Sequence, residues 1–284
     1  MAIDGEDSGI DFNIDYHSPP LTLATFNILA PCYFRKGGTL ESADKEAYEK
    51  RHEQILNTII DLNLSKEGGT EYVDIWALQE FWFKPSFVKM YEDHLTERGY
   101  SHSYLQRDSG RREDGLAVFF NNKKLELIET SSLLHDEVGH RVALLLDFRL
   151  KEKNGRFILI TTHLTFPHSH YDEQILRMEQ IETITSGLDS YISKNNLKGI
   201  SVLLCGDLNS PVKKKDPVYI HLTDTCKFSS TYKSLHGNDA GCTHYNHLRQ
   251  EASADFIFLR NPKEKKSRDR LIELNPITAF LHPR

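Results

Sequence analysis

The chain has 284 residues, 39% of them apolar, enough to bury one large core or two modest ones, and a single domain is expected. A formal net charge of −6 and a sequence pI of about 6.2 argue against a protein that holds nucleic acid through one broad basic surface, so an anionic substrate must be gripped by a few local cations or a metal. The four cysteines, Cys32, Cys205, Cys226 and Cys242, form no C-x-x-C pair, which speaks against a zinc knuckle or disulfide framework and fits a reducing compartment.

Residues 1–20 are acidic, poor in apolar residues and closed by Pro19 and Pro20, and read as a flexible N-terminal arm leading into a domain over 21–284. They carry neither a secretory signal nor a transit-peptide bias, and no apolar run approaches the roughly 20 residues of a membrane span. The expectation is a protein of the cytoplasm or nucleus, in which the sequon at Asn63 is chance. "LTLATFNI" (21–28) reads as a strand, and Tyr48, Ile55, Leu56, Ile59 and Ile60 recur at helical spacing over 43–62. "YVDIWALQE" (72–80) is a strand, and 85–98 a helix. Four strands follow, "SHSYLQR", "GLAVFF", "RVALLLDFRL" and "RFILITTHL". A long amphipathic helix over 172–194 has Ile175, Met178, Ile181, Ile184, Leu188 and Ile192 on one stripe. Then come "ISVLLCGDLN", a short helix or turn at 217–222, the strand "ADFIFLR" and a last strand near "LIELNPITAF". Strands in runs of two to four with helices between predict an α/β fold of two mixed sheets packed face to face as a sandwich, with flanking helices.

Polar residues collect where these strands end. Asn27 follows "LATF", Glu80 follows "IWALQ", His163 follows "ILITT", Asp207 and Asn209 follow "VLLCG", and Asp255 opens "FIFL". Each has a plain reading as a turn residue or satisfied interior group; their recurrence on five strands points to one rim where all six converge. Carboxylates and carboxamides without thiols suit a hard cation, Mg²⁺ or Mn²⁺, and with it hydrolysis of a phosphate ester, a carboxylate activating water while hydrogen-bond donors stabilise the phosphoryl oxygens. The glycine before Asp207 is expected to let the backbone turn.

"TFNI", "LQE", "GLAVFF", "TTHL", "GDLN" and "DFIF", in this order, resemble the endonuclease/exonuclease/phosphatase superfamily with its DNase I-like fold, from about Leu21 to Arg260. "TFNILAPCY", "LQEF", "DGLAVFF" and "RVALLL" are most similar to the deadenylase and Nocturnin-like branch. "LQEFW" and "THLTFPH" are similar to plant and protist members with an EF-hand elsewhere; no EF-hand loop is present here, so calcium sensing does not carry over. The resemblance implies Glu80 as the main metal-binding carboxylate with Asn27 beside it as a ligand or supporting group, Asp207 as the base, and Asn209 and His163 as holders of the phosphoryl oxygens. It also implies a histidine partner for Asp255 from a C-terminal Ser-Asp-His motif that this sequence does not show. Three explanations stand: a chain cut before that motif, replacement by His282 or an inner histidine, or a degenerate member.

Arg107, Arg111 and Arg112 precede Asp114 in a loop expected to border the rim, and Arg141 opens a strand; one or two of them grip substrate or all lie on a solvated surface. His168 and His170 lie near the site, with His168 a candidate for substrate contact. Phe81 and Trp82 either stack a base or plug the space between helix and sheet. The basic run in "NPKEKKSRDR" is a solvated turn or steers an anion. The function expected is a Mg²⁺-dependent phosphoesterase, first a 3′-to-5′ exonuclease on single-stranded RNA of the deadenylase kind. The alternatives are a phosphatase on a small phosphorylated substrate, such as NADPH or an inositol phosphate, and a binding protein without turnover.

Overall fold

The computed structural model describes residues 20–61, 64–66, 69–71, 73–107, 112–134, 138–166, 173–210, 216–245, 251–262, 272–279 and 281. The N-terminal arm before residue 20, Arg111, His168, His170, His282 and the basic run from 263 lie outside the described residues.

In chain order the elements are β1 (Leu23–Asn27), the small hairpin β2 (Arg35–Lys36) and β3 (Thr39–Leu40), α1 (Lys45–Asp61), the hairpin β4 (Leu64–Lys66) and β5 (Gly69–Glu71), β6 (Ile75–Trp82), α2 (Pro85–Thr96), β7 (Tyr100–Gln106), β8 (Asp114–Asn121) and β9 (Leu125–Leu134). They continue with β10 (Ala143–Leu150), β11 (Gly155–His163), α3 (Glu173–Lys194), β12 (Ser201–Asp207), α4 (Pro217–Ile220), β13 (Ser229–Ser230), α5 (Thr231–His236), β14 (His244–Tyr245), β15 (Glu251–Ala252) and β16 (Asp255–Arg260). Two sheets dominate, one ordered β1-β6-β8-β7 and the other β13-β16-β12-β11-β10-β9.

Three apolar layers hold them. Between the sheets, Ile75, Ala77, Leu116, Val118 and Phe120 of the first meet Leu144, Leu146, Phe148, Phe157, Leu159, Leu203 and Cys205 of the second. On the outer face of the first sheet, Tyr48, Leu56 and Ile59 of α1 and Phe87, Tyr91 and Leu95 of α2 pack with Trp76, Leu78, Phe81 and Trp82. Phe81 and Trp82 therefore fill core, where their rings meet Phe87 edge-on, and the base-stacking alternative is excluded for them. On the outer face of the second sheet, Ile181, Ile184, Leu188 and Tyr191 of α3 cover Ile158, Ile160, Val202 and Leu204. Ile175 does not join them and is 62% exposed in the first turn of α3. The result is the expected sandwich with helices outside both sheets. β12 is buried along its whole length because it has neighbours on both sides and a core on both faces, and this is why it reads as an unbroken apolar run.

One strand is not expected from the sequence and one expected strand does not form. β9, at the edge of its sheet, carries Glu126, Glu129 and Thr130, and two register shifts against β10 break its alternation, so it offers little periodic signal. The segment 272–279 is not a strand. Asn261 Nδ2 donates to the Leu274 carbonyl, the Leu274 amide donates to Asn261 Oδ1, and Ser201 Oγ donates to the Ile272 carbonyl, so side chains replace a backbone ladder there.

Candidate active site

The site is built at the seam between the sheets. In β6, Gln79 pairs with Leu116 of β8 and Phe81 pairs with Gly115, leaving Glu80 as the extra residue of a bulge with φ +56°. A bulge re-aims one side chain, and a left-handed conformation at a residue with a Cβ costs about 1–2 kcal/mol, which the flanking pairs and core must offset. The Glu80 carboxylate so directed accepts from Asn27 Nδ2 (3.0 Å) at Oε1 and from the Ala30 amide (3.1 Å) at Oε2. Asn27 ends β1, and its Oδ1 accepts from the Leu29 amide (3.0 Å), which fixes which end of its amide faces Glu80.

On the other sheet, parallel pairing sets His163 beside Asp207, and antiparallel pairing sets Asp255 on the far side of Asp207. Asp207 Oδ2 accepts from Asn27 Nδ2 (3.1 Å), so one amide nitrogen ties the acids of the two sheets together. Asp207 Oδ1 accepts from the Asn209 amide (3.0 Å), Asn209 itself standing at φ +48°. Gly206 is required one residue earlier for a different reason from the expected turn: inside the ladder at φ +137°, a Cβ on it would lie 1.9 Å from the Thr162 carbonyl oxygen.

The structure thus brings Asn27, Glu80, His163, Asp207, Asn209 and Asp255 to one rim. Asn27 uses its nitrogen on both acids, linking the carboxylates, and its oxygen accepts one bond from the Leu29 amide. Asn209 Nδ2 donates to the Leu164 carbonyl (2.9 Å). Arg107 is turned inward, 4% exposed, with its guanidinium on the Asp114 carboxylate, the Tyr33 hydroxyl and the His140 carbonyl. Arg112 is exposed, and its carbonyl accepts from Gln106 Nε2. Sequence reasoning missed Thr243 and His244: Asp255 Oδ2 accepts from Thr243 Oγ1 (2.6 Å) and lies 2.8 Å from His244 Nδ1. An inner histidine therefore partners Asp255 among the described residues. The only signal for it was a His eleven residues before Asp255, in a hairpin too short to read.

Burial raises the pKa of Glu80, against the opposing hydrogen bonds from Asn27 and Ala30. Burial, and then the charge of Asp255, push Asp207 up to about 7, opposed by His244, Asn27 and the Asn209 amide. Burial and the Arg141 charge hold His163 well below its ordinary value. Asp207, buried, and Glu80, half-buried, are held mainly by neutral donors and are short of positive charge, which a hard divalent cation would supply. Among the described residues no three His, Cys, Asp or Glu side chains converge tightly enough to cage an ion. The donor set fits Mg²⁺, which binds through one or two carboxylates and keeps waters for substrate oxygens.

The sequence profile of the Endonuclease/Exonuclease/phosphatase family matches residues 24–277. An uncharacterized calcium-binding protein of Arabidopsis thaliana is 31% identical over 265 residues, 87% of this chain and 52% of that protein. The CCR4-Not complex 3′-5′-exoribonuclease subunit Ccr4 of Candida albicans is 24% identical over 211 residues, 66% of this chain and 26% of its own length. The chain spans about half or less of these curated relatives. Among solved structures, the catalytic domain of human Nocturnin superposes with a TM-score of 0.64 at 20% identity, covering 84% of this chain and 82% of that one. ANGEL2, a 2′,3′-cyclic phosphatase, gives 0.64 at 17% identity over 84% and 82%. The profile match over most of the chain, the Arabidopsis relative and the shared sandwich agree: this chain belongs to the Endonuclease/Exonuclease/phosphatase family, whose members act on phosphate esters.

Proposed function

We propose that this chain is a Mg²⁺-dependent phosphodiester hydrolase that removes nucleotides from the 3′ end of single-stranded RNA. The observation that carries the reading is the Asn27 bridge between Glu80 and Asp207, which holds two charge-deficient carboxylates, one half-buried and one buried, side by side where both sheets end. Bound at Glu80, Mg²⁺ would supply charge stabilisation to the phosphoryl oxygens. Asp207 then takes the proton of the attacking water; a carboxylate with a pKa near 7 in the metal-free site is basic enough for that. His163 Nε2 stands on the same rim beside Asp207, the Asn209 side-chain amide has a second N–H beyond the one given to the Leu164 carbonyl, and Asp255 orients His244. The 3′-exoribonuclease direction is supported by likeness to Ccr4 of Candida albicans.

A second reading, hydrolysis of a small phosphorylated substrate such as NADPH or an inositol phosphate, is favoured by one observation. Arg107 is spent on Asp114, so the rim carries less positive charge than a polymer track calls for.

The test incubates wild type and Glu80→Gln with Mg²⁺ or EDTA and a panel of poly(A) RNA, NADPH and inositol phosphates. Stepwise shortening of the RNA, lost in EDTA and reduced at least ~100-fold in Glu80→Gln, is the expected result. Release of phosphate from the small substrates with intact RNA selects the second reading. Turnover that survives both EDTA and Glu80→Gln overturns the site assignment, and folded protein without any turnover leaves a binding protein.

A further inference from the structure

We propose that Arg141 is a positioning residue that holds His163 in one tautomer, with Nδ1 bare and Nε2 carrying the proton toward the space beside Asp207. The inference deepens the phosphoester-hydrolase reading and rests on it for its catalytic meaning, but its geometry stands separately.

Arg141 Nη1 lies 3.1 Å from His163 Nδ1. A guanidinium has five N–H groups and no acceptor, so the nitrogen it faces must present its lone pair. The ring's one proton then sits on Nε2, which lies 3.7 Å from Asp207 Oδ2. Without Arg141 two acids compete for the ring's proton, Asp207 Oδ2 at 3.7 Å from Nε2 and Glu80 Oε1 at 3.9 Å from Nδ1, and the form protonated at Nδ1 becomes accessible. Nε2 would then turn a lone pair toward Asp207 and any phosphoryl oxygen, and a donor would become a repulsive neighbour. Among the described residues, His163 is the hydrogen-bond partner that the Arg141 guanidinium meets. The small cavity it lines is shared with Arg107, Asp114, Gly115, Leu116, Val142 and His163, and the acid there, Asp114, is already bound to Arg107 and to the Tyr33 hydroxyl (2.6 Å). For a metal-bound histidine, loss of the outer hydrogen-bond partner changes affinity or activity by about 10–100-fold, and an effect of about that order is expected here.

The experiment is ¹⁵N-histidine NMR on metal-free, substrate-free protein, with His163→Gln used to assign the ring. Wild type is expected to show His163 protonated at Nε2 and bare at Nδ1. Arg141→Met is expected to shift it toward the Nδ1-protonated form, while Arg141→Lys, which still donates, keeps the wild-type pattern. In hydrolysis, Arg141→Met should lower kcat about 10–100-fold with little change in KM, and Arg141→Lys should recover part of it. A wild-type His163 protonated at Nδ1 overturns the proposal without any variant. An unchanged tautomer in Arg141→Met also overturns it, as does a rise in KM with kcat intact, which would make Arg141 a direct grip on substrate. Absence of hydrolysis in wild type would sink the functional reading, whereas the spectrum still decides the tautomer.

Discussion

Asp207 is 5% exposed, and most of its hydrogen-bond partners are neutral, so the folded, metal-free chain holds its proton far above the range of a free carboxyl. The unfolded chain titrates near the ordinary value, about 4. With the folded pKa raised to about 7, the folded state is favoured while the group is protonated, and that advantage disappears as pH rises from about 4 through 7. Asp207→Asn removes the titration at the loss of one good hydrogen bond to Asn27. In EDTA at pH 8 it should therefore raise Tm over wild type by about 4–8 °C, for a net relief of roughly 2 kcal/mol after about 2 kcal/mol is lost with the bond, and at pH 4, where only the lost bond remains, the gain should be gone or reversed. Paired thermal melts at the two pH values check this; a gain of equal size at both would mean that packing, not charge, is the cause. The residue types here were legible, since Asn27, Glu80, His163, Asp207, Asn209 and Asp255 each follow or open an apolar run. Their partners were not. That Arg107 turns inward depends on Asp114 lying across the β7–β8 pair, and that His244 meets Asp255 depends on the β14–β15 hairpin, contacts that no local pattern encodes.

At the scale of elements, what could be read was periodic and what could not was irregular. β12 showed itself as seven buried residues in a row, α2 by Pro85 at its start with Phe87, Tyr91 and Leu95 one turn apart, and α1 by its apolar spacing behind Asp44, whose Oδ1 caps the Ala47 amide (3.1 Å). The bulge that aims Glu80 left no trace, because its backbone is imposed by the β6–β8 register and not by a glycine. Gly206 was legible as a glycine, but its reason was not: the chain does not turn there, it passes against the Thr162 carbonyl within the ladder. Gly206→Ala must therefore either open the β11–β12 pair or move Asp207, and should cost more than about 3 kcal/mol, from the steric clash together with the strained φ. Urea unfolding measures the loss. A change below about 1 kcal/mol would show that the strands part more easily than the burial of β12 implies.

The whole molecule places its chemistry at the rim where two face-to-face sheets with a shared core meet. Asn27 and Glu80 belong to the four-stranded sheet; His163, Asp207 and Asp255 belong to the six-stranded one, and the Asn27 amide is the direct link between their acids. A cation seated there neutralises charge contributed by both halves, so its binding energy opposes separation of the sheets and not merely fraying of one loop. Linkage then sets the size of the effect. At Mg²⁺ a hundredfold above its Kd, about 2.7 kcal/mol is added to the folded state. For a chain of this length that is a rise of about 5–10 °C in Tm over EDTA. Glu80→Gln should keep the fold, since glutamine can still accept from Asn27 and Ala30, but should reduce the rise to a degree or two. Melting curves of both proteins with and without Mg²⁺ make the comparison. If the rise persists in Glu80→Gln, the cation sits elsewhere. If wild type gains protection only in the loop after β1, by hydrogen exchange, without a shift in Tm, then the two sheets do not share the site's energy in the way the Asn27 bridge implies.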